Sequence, residues 1–382
     1  MKEKFTLEYP LDSGFKKTDI YFYSGTPCPE KEFLEENCGV KRLFITDTNV
    51  ASLSCMKIFL SHFASAEYFS AEKIQEGSIF ENKNDVLLIL GSGEKFKDIQ
   101  TVLKIVNTAV EKDFNRNSVF IGIGGGVICD MTGFAASMFK RGVECEFVPT
   151  TLLADVDASI GGKTGCDFSS YKNMIGAFYP AKKIFIWTDF ILSLPENEFY
   201  SGLAEAIKTA LLFSKEMCTL FIEKKDLILK KDSDVLFSII RKCAEAKAAV
   251  VQKDFREKAN RAFLNLGHTF GHALESVAGL GKVTHGEAVA WGIARAADLS
   301  LNMTVSEKAY VLKVKELLSS YGYETSPLHS AVKDIKDADK KLLSAMHKDK
   351  KNSSSSVKVI LQKDFQNTFI TEVSDDEILP VL

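Results

Sequence analysis

The sequence predicts an α/β N-terminal nucleotide-binding domain built on a parallel sheet, followed by a mainly α-helical C-terminal domain. Three observations predict it. Between residues 42 and 187, short apolar runs alternate with a stretch of helical period, the pattern of βαβ units. Glycines follow two of the runs, at Gly91-Ser-Gly93 and Gly124-Gly-Gly126. No proline lies between Pro195 and Pro327, and that interval is rich in Ala, Leu, Glu and Lys at 3.6-residue spacing. The boundary is placed near residues 185–195, giving domains of 1–188 and 189–382.

Taken in order, Arg42–Thr46 reads as a strand and Val86–Leu90 as a second. Residues 95–112 carry Phe96, Ile99, Val102, Leu103, Val106 and Val110 at helical spacing. Val119–Ile123 is a third strand, and Glu146–Pro149 and Ile184–Trp187 are further short ones. Near the end, the polar run 351–356 reads as a loop before a strand at Val357–Leu361.

Length and charge narrow the class. A chain of 382 residues suggests about two domains. With 46% apolar and 26% charged residues it reads as globular, and a net charge of −3 gives no footprint for nucleic acid. The eight cysteines are scattered without a CxxC pair, which favours a reducing cytoplasm. Met1-Lys-Glu-Lys-Phe-Thr6 has charge without an apolar signal core, and no apolar run reaches the ~18 residues of a membrane span.

Chemistry concentrates in a few stretches. Of six histidines, three fall within 18 positions, in Asn265-Leu-Gly-His-Thr-Phe-Gly-His272 and His285-Gly-Glu287. His268 and His272 stand i, i+4 on one helix face, and neutral imidazole suits zinc. By spacing alone the three are candidate co-ligands of one metal, or a helix-surface pair with an unrelated third. Gly122-Ile-Gly-Gly-Gly126 follows a strand and opens a helix, where backbone N–H groups can approach a phosphate. Its spacing is not GxGxxG, and Asp130 is placed on the first helical turn. Glu94 and Lys97 follow the preceding strand, as a ribose and phosphate pair or as a surface ion pair. Pro149-Thr-Thr151, Asp155, Asp157 and Ser159-Ile-Gly-Gly-Lys163 add hydroxyls, carboxylates and an ammonium that two glycines let project into a cleft. Tyr171-Lys-Asn-Met-Ile-Gly176 adds another Lys/Asn pair.

These segments together resemble one family. GGGVICDMTGF at 124–134, RG at 141–142, VPTTLLADVDASIGGKTG at 148–165, KNMIGAFYP at 172–180, SGLAEAIK at 201–208, LNLGHTFGHALE at 264–275 and HGEAVAWG at 285–292 carry the likeness. In this order they resemble the 3-dehydroquinate synthases, of the sugar-phosphate cyclase group. The likeness runs from about residue 40 to 351. It implies metal ligands Glu205, His268 and His285, with His272 freed for the substrate. It implies catalytic roles for Lys163, Lys208, Arg261, Asn265 and His272, and substrate contacts from Arg141, Asp157, Asn173, Lys247 and Lys350. NAD would lie across Asp47, Asn49, Glu94, Lys97, Gly125, Gly126, Val127, Asp130, Thr150, Thr151, Leu153, Lys172, Ser193, Leu194 and Glu198. Cys129 and Tyr171 stand where the family usually has Gly, Ser193 stands where Thr is typical, and Gly165-Cys-Asp167 departs from the common sequence.

The resemblance further implies an active site in the cleft between the domains, closing around the substrate. It implies conversion of 3-deoxy-arabino-heptulosonate 7-phosphate to 3-dehydroquinate, with zinc or another divalent metal, in the shikimate pathway of aromatic amino acid biosynthesis. A hydroxyl is oxidised transiently by NAD, phosphate is eliminated, the ketone is reduced, the ring opens and an internal aldol closes the carbocycle. A homodimer is expected, with no nucleic acid or membrane partner. The rival expectations are a cyclase making 2-deoxy-scyllo-inosose or a valiolone, a metal- and NAD-dependent glycerol dehydrogenase, and an inactive NAD- or metal-binding scaffold.

Overall fold

The computed structural model describes residues 2–11, 14–25, 39–65, 74–169, 171–257, 260–279, 281–349 and 356–382. The chain forms two compact units, Met1–Leu194 with Lys231–Arg256, and Pro195–Lys230 with Glu257–Leu382. The expected single crossing near residue 188 is therefore replaced by an excursion. The Ser233–Lys253 helix was expected in the second domain, but it belongs to the first unit. Its flank explains why: Phe237 meets Phe22 and Phe255 meets Tyr9, at ring-centroid distances of 6.3 and 5.0 Å.

The first unit is organised by an eight-stranded sheet in the order β1-β2-β10-β7-β6-β3-β5-β4. The strands are β1 Lys2–Leu11, β2 Gly14–Tyr23, β3 Arg42–Asp47, β4 Ile79–Asn82, β5 Asp85–Leu90, β6 Val119–Gly124, β7 Glu144–Pro149 and β10 Lys183–Trp187. Pairing is parallel from β2 through β5, and the edges β1 and β4 are antiparallel. Every residue of β3, β5 and β6 is buried, as strands covered on both faces must be. Phe44, Leu87, Ile121, Val148 and Trp187 join one apolar cluster.

The helical pattern at 95–112 resolves into a 3₁₀ turn at Glu94–Phe96 and a helix over Ile99–Glu111. Asp98 caps that helix by accepting from Thr101 N at 2.7 Å, which fixes the later start. The next helix, Gly126–Met138, opens directly after β6. A hairpin of β8 Lys163–Phe168 and β9 Tyr171–Phe178 occupies a segment to which no strand was assigned from sequence. Adjacent β3 and β6 send their chains to opposite sides, one to β5 and the other to β7. Their carboxyl ends therefore form a topological switch point, the crevice where open α/β sheets take ligands.

The second unit is helical, with long helices at Glu196–Phe213, His268–Ala278, His285–Asn302, Lys308–Ser320 and Ala338–Asp349. Its terminal hairpin pairs β11 Ser356–Asp364 with β12 Asn367–Ser374. Glu196–Phe213 and His285–Asn302 are buried nearly all round, so both are interior helices rather than amphipathic surface ones. Among the described residues, no helix is long and apolar enough to cross a membrane, and no cysteine forms a disulfide.

Candidate functional site

In the second unit, the backbone brings three expected ligands together. Glu205 sits inside the Glu196–Phe213 helix, while His268 and His285 are each the first residue of their own helix. Thr284 and Glu287 form a capping box that fixes the start at His285. Gly286 then allows close approach to the Glu205 helix: a Cβ there would fall 2.1 Å from the Ser201 carbonyl oxygen. Gly286 N donates to Ser201 Oγ at 3.0 Å, one helical turn before Glu205. Gly267, just before His268, has φ of 81°, and a Cβ there would meet Val289 O at 2.7 Å. Two glycines thus lock all three ligand-bearing helix segments by backbone contact.

The Nε2 atoms of His268 and His285 each lie 3.6 Å from Glu205 Oε1. That is too long for a hydrogen bond. It is close to the ~3.4 Å between two ligand atoms each about 2.0–2.1 Å from a tetrahedral ion. Glu205 is 1% exposed, and neither carboxylate oxygen makes a hydrogen bond of good geometry; Lys208, one turn on, forms an ion pair with Oε2. A buried, under-coordinated carboxylate with two imidazole nitrogens converging on it fits a divalent cation.

The charge states agree with that fit. Burial opposes ionisation of Glu205, yet the Lys208 ammonium and the two imidazoles hold its carboxyl well below the usual range. Burial, then the Lys208 charge, push His268 well below an ordinary imidazole, so it presents a lone pair. Burial also opposes the charged form of His285, but contact with Glu205 and Glu275 outweighs it and raises that ring to about 9. An ion would displace this proton.

His272 does not join the first set. It groups instead with Glu275 and His285, and its ring centroid is 5.4 Å from His268 and 6.2 Å from His285. Sequence reading missed Glu275, which faces His285 Nδ1 at 3.7 Å. Its signal was the H-x-x-E spacing from His272, which puts both on one helix face. Lys208 and Arg261 are buried, at 1% and 2% exposure. Asn265 Nδ2 donates to Glu257 Oε1 at 2.8 Å, a partner sequence reading also missed. Lys350 lies outside the described residues.

In the first unit, expected residues gather after the strand ends. Asp47 closes β3 and caps a short helix, its Oδ1 accepting from Asn49 N at 2.8 Å and Val50 N at 2.9 Å. Gly125 caps the Gly126–Met138 helix without a side-chain bond, a helix start of the kind whose first N–H groups can take an anion. Thr150 N donates to Gly124 O at 3.0 Å, and Thr151 Oγ1 accepts from Ala154 N at 3.2 Å. Val127 and Leu153 are half-buried nearby, while Asn49 is exposed.

Two sequence expectations change here. The helix opens at Gly126, so Asp130 stands on its second turn rather than its first. Lys97 is not a surface residue: it is 6% exposed and donates at 2.7 Å both to Asp130 Oδ2 and to Asn173 Oδ1. Burial works against its charge, but Asp130 outweighs it and holds the ammonium above its ordinary value. Lys247 reaches Asp157, at 2.8 Å from Oδ1 and 2.5 Å from the backbone oxygen. Arg141, Lys163 and Lys172 are exposed. Ser193 donates to Phe190 O at 2.8 Å, Leu194 ends the segment, and Glu198 falls in the second unit. Of the departures, Cys129 is fully buried against Gly124 O and burial pushes its thiol well up, so it packs as an inert small side chain; Tyr171 is 62% exposed.

Comparison with known proteins places this geometry. Residues 87–201 match the model for the 3-dehydroquinate synthase N-terminal region, and residues 202–352 match that for its C-terminal region. A 3-dehydroquinate synthase from Thermodesulfovibrio yellowstonii is 39% identical over 297 residues, covering 78% of this chain and 81% of the relative. Another, from Acinetobacter baumannii strain AYE, is 35% identical over 369 residues, covering 97% and 96%. The solved 2-epi-5-epi-valiolone synthase from Streptomyces hygroscopicus subsp. jinggangensis 5008, with NAD+ and Zn2+ bound, superposes with a TM-score of 0.80 at 22% identity, covering 95% of each chain. The last shows a shared fold, and the matched models and full-length relatives show more: the chain belongs to the 3-dehydroquinate synthase family.

Proposed function

We propose that this chain is a metal- and NAD-dependent carbon–oxygen lyase that converts 3-deoxy-arabino-heptulosonate 7-phosphate to 3-dehydroquinate and phosphate. One observation carries the reading: two imidazole nitrogens converge on a buried Glu205 oxygen, with a buried ammonium on the other oxygen. Glu205, His268 and His285 would hold the divalent ion, zinc in this reading. The turn at Gly125–Gly126, with Asp47, Lys97, Asp130, Thr150 and Thr151, would hold NAD. The solved valiolone synthase relative, which has NAD+ and Zn2+ bound, supports both groups. When bound, the two supply activation of a hydroxyl and a reversible hydride acceptor.

The chain's own residues carry the remaining work. Lys208 is buried and paired with Glu205, and a cation at that place favours a substrate hydroxyl giving up its proton. The Arg261 guanidinium matches a carboxylate with two parallel donors. His272 and Asn265 would hold the phosphate, whose own oxygen accepts the proton lost as it leaves. Arg141, Asp157, Asn173 and Lys247, all of the first unit, would take hydroxyl and anionic groups of the substrate. Free thiols agree with work in the cytoplasm, and a homodimer belongs to the same proposal.

The test supplies the heptulosonate phosphate with catalytic NAD and a divalent metal, then follows phosphate and dehydroquinate. Turnover without net NADH supports the reading. Stoichiometric NADH from a simple polyol, with no phosphate release, would overturn it.

A further inference from the structure

A ligand imidazole uses one nitrogen on the ion, and what its other nitrogen meets decides its tautomer and ring angle. The two histidines here solve this differently. His268 directs Nε2 to Glu205 Oε1 and keeps Nδ1 at 3.3 Å from the Leu266 carbonyl oxygen. His285 also directs Nε2 to Glu205 Oε1, but its Nδ1 faces a carboxylate, Glu275 Oε2, at 3.7 Å. Glu275 is on the same helix as His268 and His272, spaced i, i+4, i+7, so one helix face delivers a ligand, His272 and this carboxylate. Its side chain is 14% exposed, which keeps the contact from being screened as a surface pair would be.

We propose that Glu275 is the positioning residue for His285: its carboxylate takes the Nδ1–H, fixes the Nε2 lone pair and turns the ring toward Glu205. The proposal rests on reading Glu205, His268 and His285 as the metal set. At 3.7 Å the contact is just longer than a hydrogen bond, so a slight inward movement of the carboxylate completes it. Leu266 O does the same for His268 from the backbone, which no substitution at that position removes. Glu275 is therefore the outer partner that mutation can reach. A carboxylate acceptor also makes the imidazole a stronger donor to a cation than a carbonyl does.

Three variants decide it: Glu275→Gln, Glu275→Ala and His268→Ala. Each is stripped with a chelator and titrated with zinc against a competing chromophoric chelator, with thermal unfolding as the fold control. Loss of an outer partner weakens metal binding by about 10–100-fold. Glu275→Gln keeps an acceptor oxygen and falls at the low end, Glu275→Ala falls at the high end, and His268→Ala loses tight zinc altogether. The His285 ring of wild type shows an Nδ1-protonated tautomer by nitrogen NMR in the zinc form, and Glu275→Ala mixes it. Wild-type affinity in Glu275→Ala, beside a loss in His268→Ala, overturns the role of Glu275 and leaves the metal set standing. Tight zinc in His268→Ala overturns the metal set and the role of Glu275 with it. A second zinc equivalent that Glu275→Gln alone abolishes, with the first unchanged, makes Glu275 a ligand of another ion and also overturns the proposal.

Discussion

Lys247 holds Asp157 twice, through its carboxylate at 2.8 Å and its backbone oxygen at 2.5 Å. Lys247 is 6% exposed and projects from the Ser233–Lys253 helix onto the irregular turn Ala154–Ala158. The bond therefore pins a chemically dense loop to a long helix that leaves its sequence neighbours for the first unit. We expect Lys247→Met to cost about 2 kcal/mol of stability, the scale of a lost charged hydrogen bond. A double-mutant cycle with Asp157→Asn in urea unfolding measures the coupling. Additive losses would show that the two side chains do not act together.

His268 and His272 share a helix face but not a partner. His268→Ala should lose bound metal and all turnover. His272→Ala should keep one equivalent of metal by mass spectrometry and slow turnover by about 10²-fold, the scale of one acid–base or anion-holding group. Metal loss in both would place His272 among the ligands.

Gly286→Ala changes no ligand, yet its new Cβ would sit 2.1 Å from the Ser201 carbonyl oxygen. The helices must part, at a cost of about 1–3 kcal/mol for overpacking. Zinc affinity should fall along with the unfolding midpoint. Unchanged affinity would mean that the ligand geometry does not depend on this contact.

Asp155 gives a pH prediction. It is fully buried, neither oxygen has a hydrogen-bond partner among the described residues, and burial alone pushes its carboxyl well above the ordinary 3.8. A folded-state value above the unfolded one contributes stability below the unfolded value. That contribution is lost as pH rises from about 3.8 through the raised folded value. Asp155→Asn removes the dependence. The variant should gain on wild type progressively as pH rises from 4 to 8, read from unfolding midpoints in denaturant. A constant difference across that range would contradict the buried, neutral acid.

The sequence was most informative where burial is uniform. β3, β5 and β6 are buried throughout and carry apolar runs at Leu43–Ile45, Val86–Leu90 and Val119–Ile121, so each reads as a parallel strand without help from its neighbours. The β1–β2 hairpin was silent because its outer face carries Lys4, Thr6 and Asp19, which bond one another at the surface. Alternating charge there masks Leu7, Ile20 and Phe22 beneath. The Ser233–Lys253 helix was legible as a helix but not as a member of the first unit, because period says nothing about which neighbour covers the apolar face. At the site, spacing alone gave three histidines without sorting them. Family likeness added Glu205 and set His272 apart from the ligands; the structure puts two nitrogens around the Glu205 oxygen and brings in Glu275. Lys97 shows the converse: an ammonium near a glycine turn reads as surface until its burial against Asp130 and Asn173 is seen.

The close seat of Gly286 on Ser201 has a physiological consequence. Since peptide backbone holds the Glu205 and His285 helices together, chelation should leave circular dichroism nearly unchanged, and the unfolding midpoint should fall only by the binding free energy of the lost ion. A cell short of the divalent ion would then accumulate folded, idle molecules rather than debris for its proteases. When supply returns, activity would recover in the time an ion takes to bind, without new protein synthesis.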